Sequence, residues 1–420
     1  METKKIIQPI GKYHIRVFAG MLMLLLILLV NGCNKETTDP ASNQYLVDFN
    51  EENLFLLQSI EAMLTPMEPL YPQAVGIKEH AAYSVQVFSM NYKTHYKGEE
   101  ITASGLVCIP LADGKFPVIS FQNGTNTYHG NAPTANPLNF NYLLLEAMAS
   151  NGYIILIPDY IGFGASSDQV HPYYQKETTA ATVIDMMHAC SELVQDKKVL
   201  AKTADRNYLM GYSQGGWATL SVLEELEKGD HPDIKIEAAS CGAGAYDLMA
   251  MSNFVLALDT FPGPVYLPYF VYSEQIYGAL TDQLDKYFNE PYAGRIPELF
   301  DGTHTNGEVN ENLNDTISRL LTSDMILNFV SGTEFQDLRN VLTENSVSAW
   351  PAEAQLQLYH GTIDVNVPPI QSQMIYDSFI SLGADPSRVS LMPLEGMNHE
   401  TGVIPWGIST INWFNELEAK

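Results

Sequence analysis

Two runs of alternating character, Tyr83–Phe88 (YSVQVF) and Ile101–Val107 (ITASGLV), are joined by the polar NYKTHYKGEE and predict a β-hairpin at the start of a sheet. Beyond residue 115 the pattern changes to short, mostly apolar runs at 117–121, 153–157, 208–210, 234–239, 356–359 and 389–392. Runs without alternation predict strands buried on both faces. The segments between them carry helical spacing, as in TTAATVIDMMHACSELV, where Ala180, Val183, Ile184, Met187, Cys190 and Leu193 share one side. Strand–helix alternation of this kind predicts an α/β fold with a mostly parallel central sheet flanked by helices.

Two stretches break the rhythm. LVDFNEENLFLLQSIEAML, followed by the Pro-rich 66–72, reads as an amphipathic helix, so residues 45–74 are expected to form an N-terminal helical appendage. Residues 248–349 hold no clear strand run, only helix-like stretches such as ENLNDTISRLLTSDMILNFV and the Pro/aromatic FPGPVYLPYFVY at 261–272. An insert of this length between two sheet strands reads as a cap, leaving 75–247 and 350–420 as the core. The aromatic segment offers apolar surface for a substrate or for the cap's own small core, and the sequence leaves both open.

At the N-terminus, Lys4, Lys5, Lys12 and Arg16 precede an uncharged run, Val17–Val30. That run is shorter than the ~20 residues of a membrane-spanning helix and reads as an export leader. It stops at Val30-Asn31-Gly32-Cys33, which resembles a bacterial lipobox. The resemblance implies a leader over 1–32, lipidation of Cys33, a tether over 33–44, and a place in the cell envelope, on the periplasmic side or the cell surface, with the outer membrane of a Gram-negative bacterium as the expected site.

With 22 Lys+Arg against 49 Asp+Glu, the formal charge of −27 leaves no basic face for a phosphate backbone and argues against nucleic-acid binding. An apolar fraction of 46% excludes a disordered chain. Beyond Cys33 stand Cys108, Cys190 and Cys241, an odd number, expected as buried thiols with at most one bridge. None has metal-ligand spacing, and no metal or cofactor is expected.

The chemistry concentrates at three points. Gly211-Tyr212-Ser213-Gln214-Gly215 lies between a strand and a helix-like run, where a tight turn pushes a serine out of the sheet edge. A serine hydroxyl needs a general base, and the base an orienting acid. Downstream, each after a predicted strand, come Asp364 in HGTIDVNVP and His399 in EGMNHE. Asp247 and Glu395 are alternative acids. His360 is read as structural, and His171 and His188 as capping or solvated groups, with bordering the pocket as the alternative for His171.

This set, with PDYIGFG at 158–164, resembles the α/β-hydrolase superfamily from about residue 80 to 417, and most closely the bacterial and fungal secretory lipases and their envelope relatives. The resemblance implies a carboxylic-ester hydrolase with Ser213 as nucleophile, His399 as base and Asp364 as its orienting acid. It also implies an oxyanion hole from the backbone N–H groups of Gln214 and Thr125, the latter in a Gln-Asn-Gly-Thr loop where relatives carry His-Gly. Asp159 and Tyr160 are candidates for lining the pocket. The expected partner is a small-molecule or lipid ester, with membrane attachment through Cys33. A serine peptidase or amidase of the same fold, acyl transfer to an alcohol, and a non-catalytic ligand-binding lipoprotein remain as alternatives.

Overall fold

The computed structural model describes residues 43–229 and 231–420; the expectations for the leader, for Cys33 and for most of the tether lie outside the described residues. Nine strands build a single sheet: β1 (Leu46–Phe55), β2 (Val85–Tyr96), β3 (Glu99–Pro110), β4 (Gly114–Gln122), β5 (Ile154–Pro158), β6 (Ala201–Tyr212), β7 (Ile236–Gly242), β8 (Gln355–Gly361) and β9 (Val389–Leu394). Their spatial order is β1-β2-β3-β5-β4-β6-β7-β8-β9. The first three and the β3–β5 contact are antiparallel, and β5 through β9 are parallel. The predicted hairpin is β2–β3, paired from Val85↔Pro110 to Tyr96↔Glu99, and each apolar run overlaps a strand with a parallel neighbour.

The sheet carries an apolar layer on each face, because successive side chains of a strand point to opposite sides. In β5, Ile154 and Leu156 join the layer under the helices Lys176–Leu193 and Gln214–Lys228. Ile155 and Ile157 join the other layer, under Leu57–Leu64, Ala74–His80, Phe140–Ala149 and Val403–Glu418. From β4 the chain passes to β5 on one side and then crosses to β6 on the other. The carboxyl ends of β4 and β6 therefore flank the point where strand order reverses, where open α/β sheets place their ligands.

One expectation is corrected. Residues 46–55 are not helical but form the edge strand β1, antiparallel to β2 with two register shifts. Only the second half of the stretch, Leu57–Leu64, is helix. The backbone N–H groups of Gln44, Tyr45 and Leu46 all donate to the Glu192 carboxylate at 2.7–3.0 Å, and β2 offers a free edge. Tertiary pairing overrides a local pattern that fits either state. Between β7 and β8 the chain adds no strand to the sheet and runs through seven short helices, from Leu248–Leu256 to Gln336–Glu344. Cys108, Cys190 and Cys241 are free and buried.

Glu146, in the helix Phe140–Ala149, is almost fully buried and neither carboxyl oxygen has a hydrogen-bond partner. Burial pushes its pKa up to about 8. A raised carboxyl pKa stabilises the fold fully below the unfolded value near 4.5, and that stability is lost as pH rises through about 8. Glu146→Gln is therefore expected to leave the thermal midpoint nearly unchanged at pH 4.5 and to raise it at pH 9, by a gain on the order of 3 kcal/mol. Thermal unfolding of both proteins at the two pH values checks this.

Candidate active site

At the junction of β6 and the helix Gln214–Lys228, Ser213 adopts φ 61°, ψ −125°. A non-glycine residue there costs roughly 1–3 kcal/mol and persists only when its surroundings fix it. They do so through hydrogen bonds from Ser213 N–H to Gly242 O at 2.8 Å and from Gly216 N–H to Ser213 O at 2.9 Å. Side chains are excluded on both sides of the turn. A Cβ on Gly211 would lie 2.2 Å from Gly215 O, one on Gly215 2.0 Å from Gln122 O, and one on Gly216 2.4 Å from Gly242 O. The turn is wedged between the ends of β4 and β7, and the serine side chain is what projects.

The structure brings the three predicted residues together. Ser213 Oγ lies 2.8 Å from His399 Nε2, and His399 Nδ1–H donates to Asp364 Oδ2 at 2.6 Å. Asp364 Oδ1 accepts from the N–H groups of Asn366 and Val367, both at 2.9 Å. His360 donates from Nε2 to Val367 O at 2.8 Å, sits 3.4 Å from Asp364 Oδ2, and accepts from Ser372 Oγ at Nδ1. Burial alone would raise the Asp364 carboxyl, but the hydrogen bonds from His360, His399 and Val367 outweigh it and hold the pKa at about 2. The group is thus ionised throughout the neutral range. Of the alternative acids, Asp247 caps the helix Leu248–Leu256, accepting from Ala250 N–H at 2.8 Å, and Glu395 lies in the turn after β9.

Gln214 is the first residue of its helix, where backbone N–H groups have no intrahelical acceptor. Its side chain donates to Nε2 of His171, whose Nδ1–H donates to Ile161 O. Burial lowers the His171 pKa to about 4, so the ring is neutral and keeps this tautomer. That role for His171 was not legible in the sequence. Thr125 lies in the loop after β4, and its hydroxyl pairs with Tyr173 Oη at 2.7 Å. Gly124 in the same loop packs against Ser213, since a Cβ there would lie 3.8 Å from the serine Cβ.

Asp159 and Tyr160 both border the cleft, yet their polar groups face the protein. Asp159 accepts from Ser104 Oγ, Thr134 N–H and Thr134 Oγ1 at 2.5–2.9 Å, and Tyr160 stacks on His171. Two cavities meet at Ser213. One, of about 80 Å³, is almost wholly apolar and lined by Leu248, Met251, Val255, Phe261 and Phe270. The other, of about 570 Å³, is larger and mixed, and only this one also touches His399.

Several solved structures share the architecture. A Legionella pneumophila protein is 30% identical over 89% of this chain and 98% of its own, with a TM-score of 0.78. The rice cell wall degrading esterase LipA from Xanthomonas oryzae is 23% identical over 88% and 97%, with a TM-score of 0.74. Candida antarctica lipase A in its closed state is 14% identical over 88% and 82%, with a TM-score of 0.65. No curated protein matches the chain. The fold is that of the α/β-hydrolases, and the protein is a carboxylic-ester hydrolase. Residues 134–416 match the secretory lipase model, and the chain belongs to that family, one of exported proteins.

The wedged turn makes a paired prediction. Gly215→Ala, with a Cβ 2.0 Å from a backbone oxygen, is expected to lower stability by at least about 1–3 kcal/mol and to abolish esterase activity. Gly407→Ala, in the helix Val403–Glu418 with nothing within 4 Å of the added carbon, is expected to be neutral or to stabilise by up to about 1 kcal/mol. Denaturant unfolding and p-nitrophenyl butyrate hydrolysis of the two variants check it.

Proposed function

We propose that the protein hydrolyses carboxylic esters through an acyl-enzyme on Ser213, with His399 as general base and then acid and Asp364 as the group that holds the imidazole. The observation that carries this is the continuous Ser213–His399–Asp364 hydrogen-bond chain at 2.8 and 2.6 Å. Ser213 Oγ attacks the ester carbonyl while its proton passes to His399 Nε2. The oxyanion is stabilised by the N–H groups of Gln214 and Thr125, each donor contributing about 2.7–4 kcal/mol in the transition state. Collapse expels the alcohol, which takes the proton from Nε2. Water then attacks the acyl-enzyme by the same route, releasing the acid and free serine.

The proton path also assigns the two cavities. The leaving alcohol must lie within reach of His399 Nε2, so it occupies the larger cleft that touches His399. The acyl group points the other way, into the apolar cavity beneath Leu248, Met251 and Val255, and the helical insert then serves as a cap that selects acyl groups. A small apolar cavity favours short to medium apolar acyl chains over long ones.

Ser213→Ala is expected to abolish both hydrolysis and labelling by a fluorophosphonate. Asp364→Asn is expected to lower kcat about 10⁴-fold, as loss of the orienting carboxylate does in serine proteases. In a p-nitrophenyl ester series the wild-type rate is expected to peak between butyrate and octanoate and to fall at palmitate. Hydrolysis of matched anilides faster than of esters would replace this reading by an amidase.

The leader and the Val-Asn-Gly-Cys sequence support attachment of the mature protein to the cell envelope by a lipid on Cys33. The full-length protein is expected to sediment with membranes and to enter the detergent phase on phase separation, and Cys33→Ala to do neither.

A further inference from the structure

The loop that carries Thr125 has no regular structure of its own and is held from two sides. The core holds it through Asn123 Nδ2–H donating to Pro158 O at 2.6 Å and through the Thr125–Tyr173 hydroxyl pair. The insert holds it through Asn306, the first residue of the helix Asn306–Asn312. Asn306 Nδ2–H donates to Thr125 O at 2.8 Å, and Asn306 Oδ1 accepts from Thr127 Oγ1 at 2.9 Å. Thr127 Oγ1 also lies 2.8 Å from His304 O, and the two segments continue side by side as a bridge between Tyr128 and Thr303. Asn306 itself is fixed, because Thr305 and Glu308 close a capping box around its backbone.

A single amide thus clips together two loop residues, donating to one and accepting from the other. We propose that Asn306 is a positioning residue for the Thr125 oxyanion donor, so that the insert sets the geometry of the oxyanion hole as well as covering the acyl cavity. This rests on the reading of Thr125 N–H as an oxyanion donor. If the clip is lost, the peptide that carries Thr125 O gains freedom to turn, the φ and ψ of Thr125 drift with it, and the N–H of the preceding peptide no longer meets the oxyanion at the angle the transition state needs. Asn306 also borders the larger cleft, but its amide is engaged by Thr125 and Thr127, so substrate binding is affected little.

The test compares p-nitrophenyl butyrate with its thiono analogue, whose sulfur is a poor hydrogen-bond acceptor and so draws little help from an oxyanion hole. In Asn306→Ala and in the near-isosteric Asn306→Asp, kcat for the oxo ester is expected to fall ten- to a hundred-fold with KM within about twofold. The thiono rate is expected to change much less, so that the oxo/thiono ratio falls. Thr127→Val, which removes the hydroxyl from Asn306 Oδ1 and from His304 O but leaves the Asn306–Thr125 hydrogen bond in place, is expected to lie between these variants and wild type and carries the test should the Asn306 variants fail to fold. An unchanged ratio in folded variants, or equal losses on both substrates, would overturn the inference while leaving the Ser213 mechanism intact. Equal rates on the two substrates in wild type would remove the oxyanion reading itself, and this inference with it.

Discussion

Where β6 runs into the helix behind Ser213, the backbone leaves no room for a Cβ at three of the five positions around the serine. Gly211, Gly215 and Gly216 each face a main-chain oxygen at 2.0–2.4 Å from where such a carbon would stand. That contact presses the turn against the ends of β4 and β7, forces Ser213 into a positive φ, and aims its hydroxyl at His399. It also brings the loop after β4 beside the serine, with Gly124 packed on its Cβ. The projecting serine, its contact with His399 and the neighbouring loop are therefore consequences of one close backbone approach at the reversal of strand order.

Much of this could be read in the chain because the chemistry sits at strand ends. Parallel strands buried on both faces announce themselves as mostly apolar runs, and Ser213, Asp364 and His399 each lie within a few residues of the end of one of them. The stretch 46–55 misled because LVDFNEENLF satisfies a helical spacing as well as an edge strand, and what decides is a carboxylate 146 residues away that accepts from Leu46 N–H. His171 and Asn306 carry no local mark of their roles. Each acts on a partner, Gln214 or Thr125, that only the tertiary fold brings near, 43 and 181 residues distant in sequence.

The supports of the site fall into two sets. Two imidazole N–H groups and two backbone N–H groups converge on one buried carboxylate and keep it ionised. Beside the serine, the Gln214 amide donates to a histidine held uncharged by burial, and the Asn306 amide donates to a loop carbonyl. Both sets are oriented dipoles, which meet negative charge without having to reorganise.

The three buried thiols bear on life outside the reducing cytoplasm. Exported chains meet enzymes and oxidants that join cysteines, and the reactive species is the thiolate. Burial pushes the thiol of Cys190 up to about 12 and those of Cys108 and Cys241 up as well, so at neutral pH the folded protein presents almost no thiolate for exchange. The hazard is confined to the interval between export and folding, and completing the sheet ends it, since Cys108 and Cys241 lie within β3 and β7. Packing the core thus serves as the molecule's redox protection, without a single cross-link among the described cysteines.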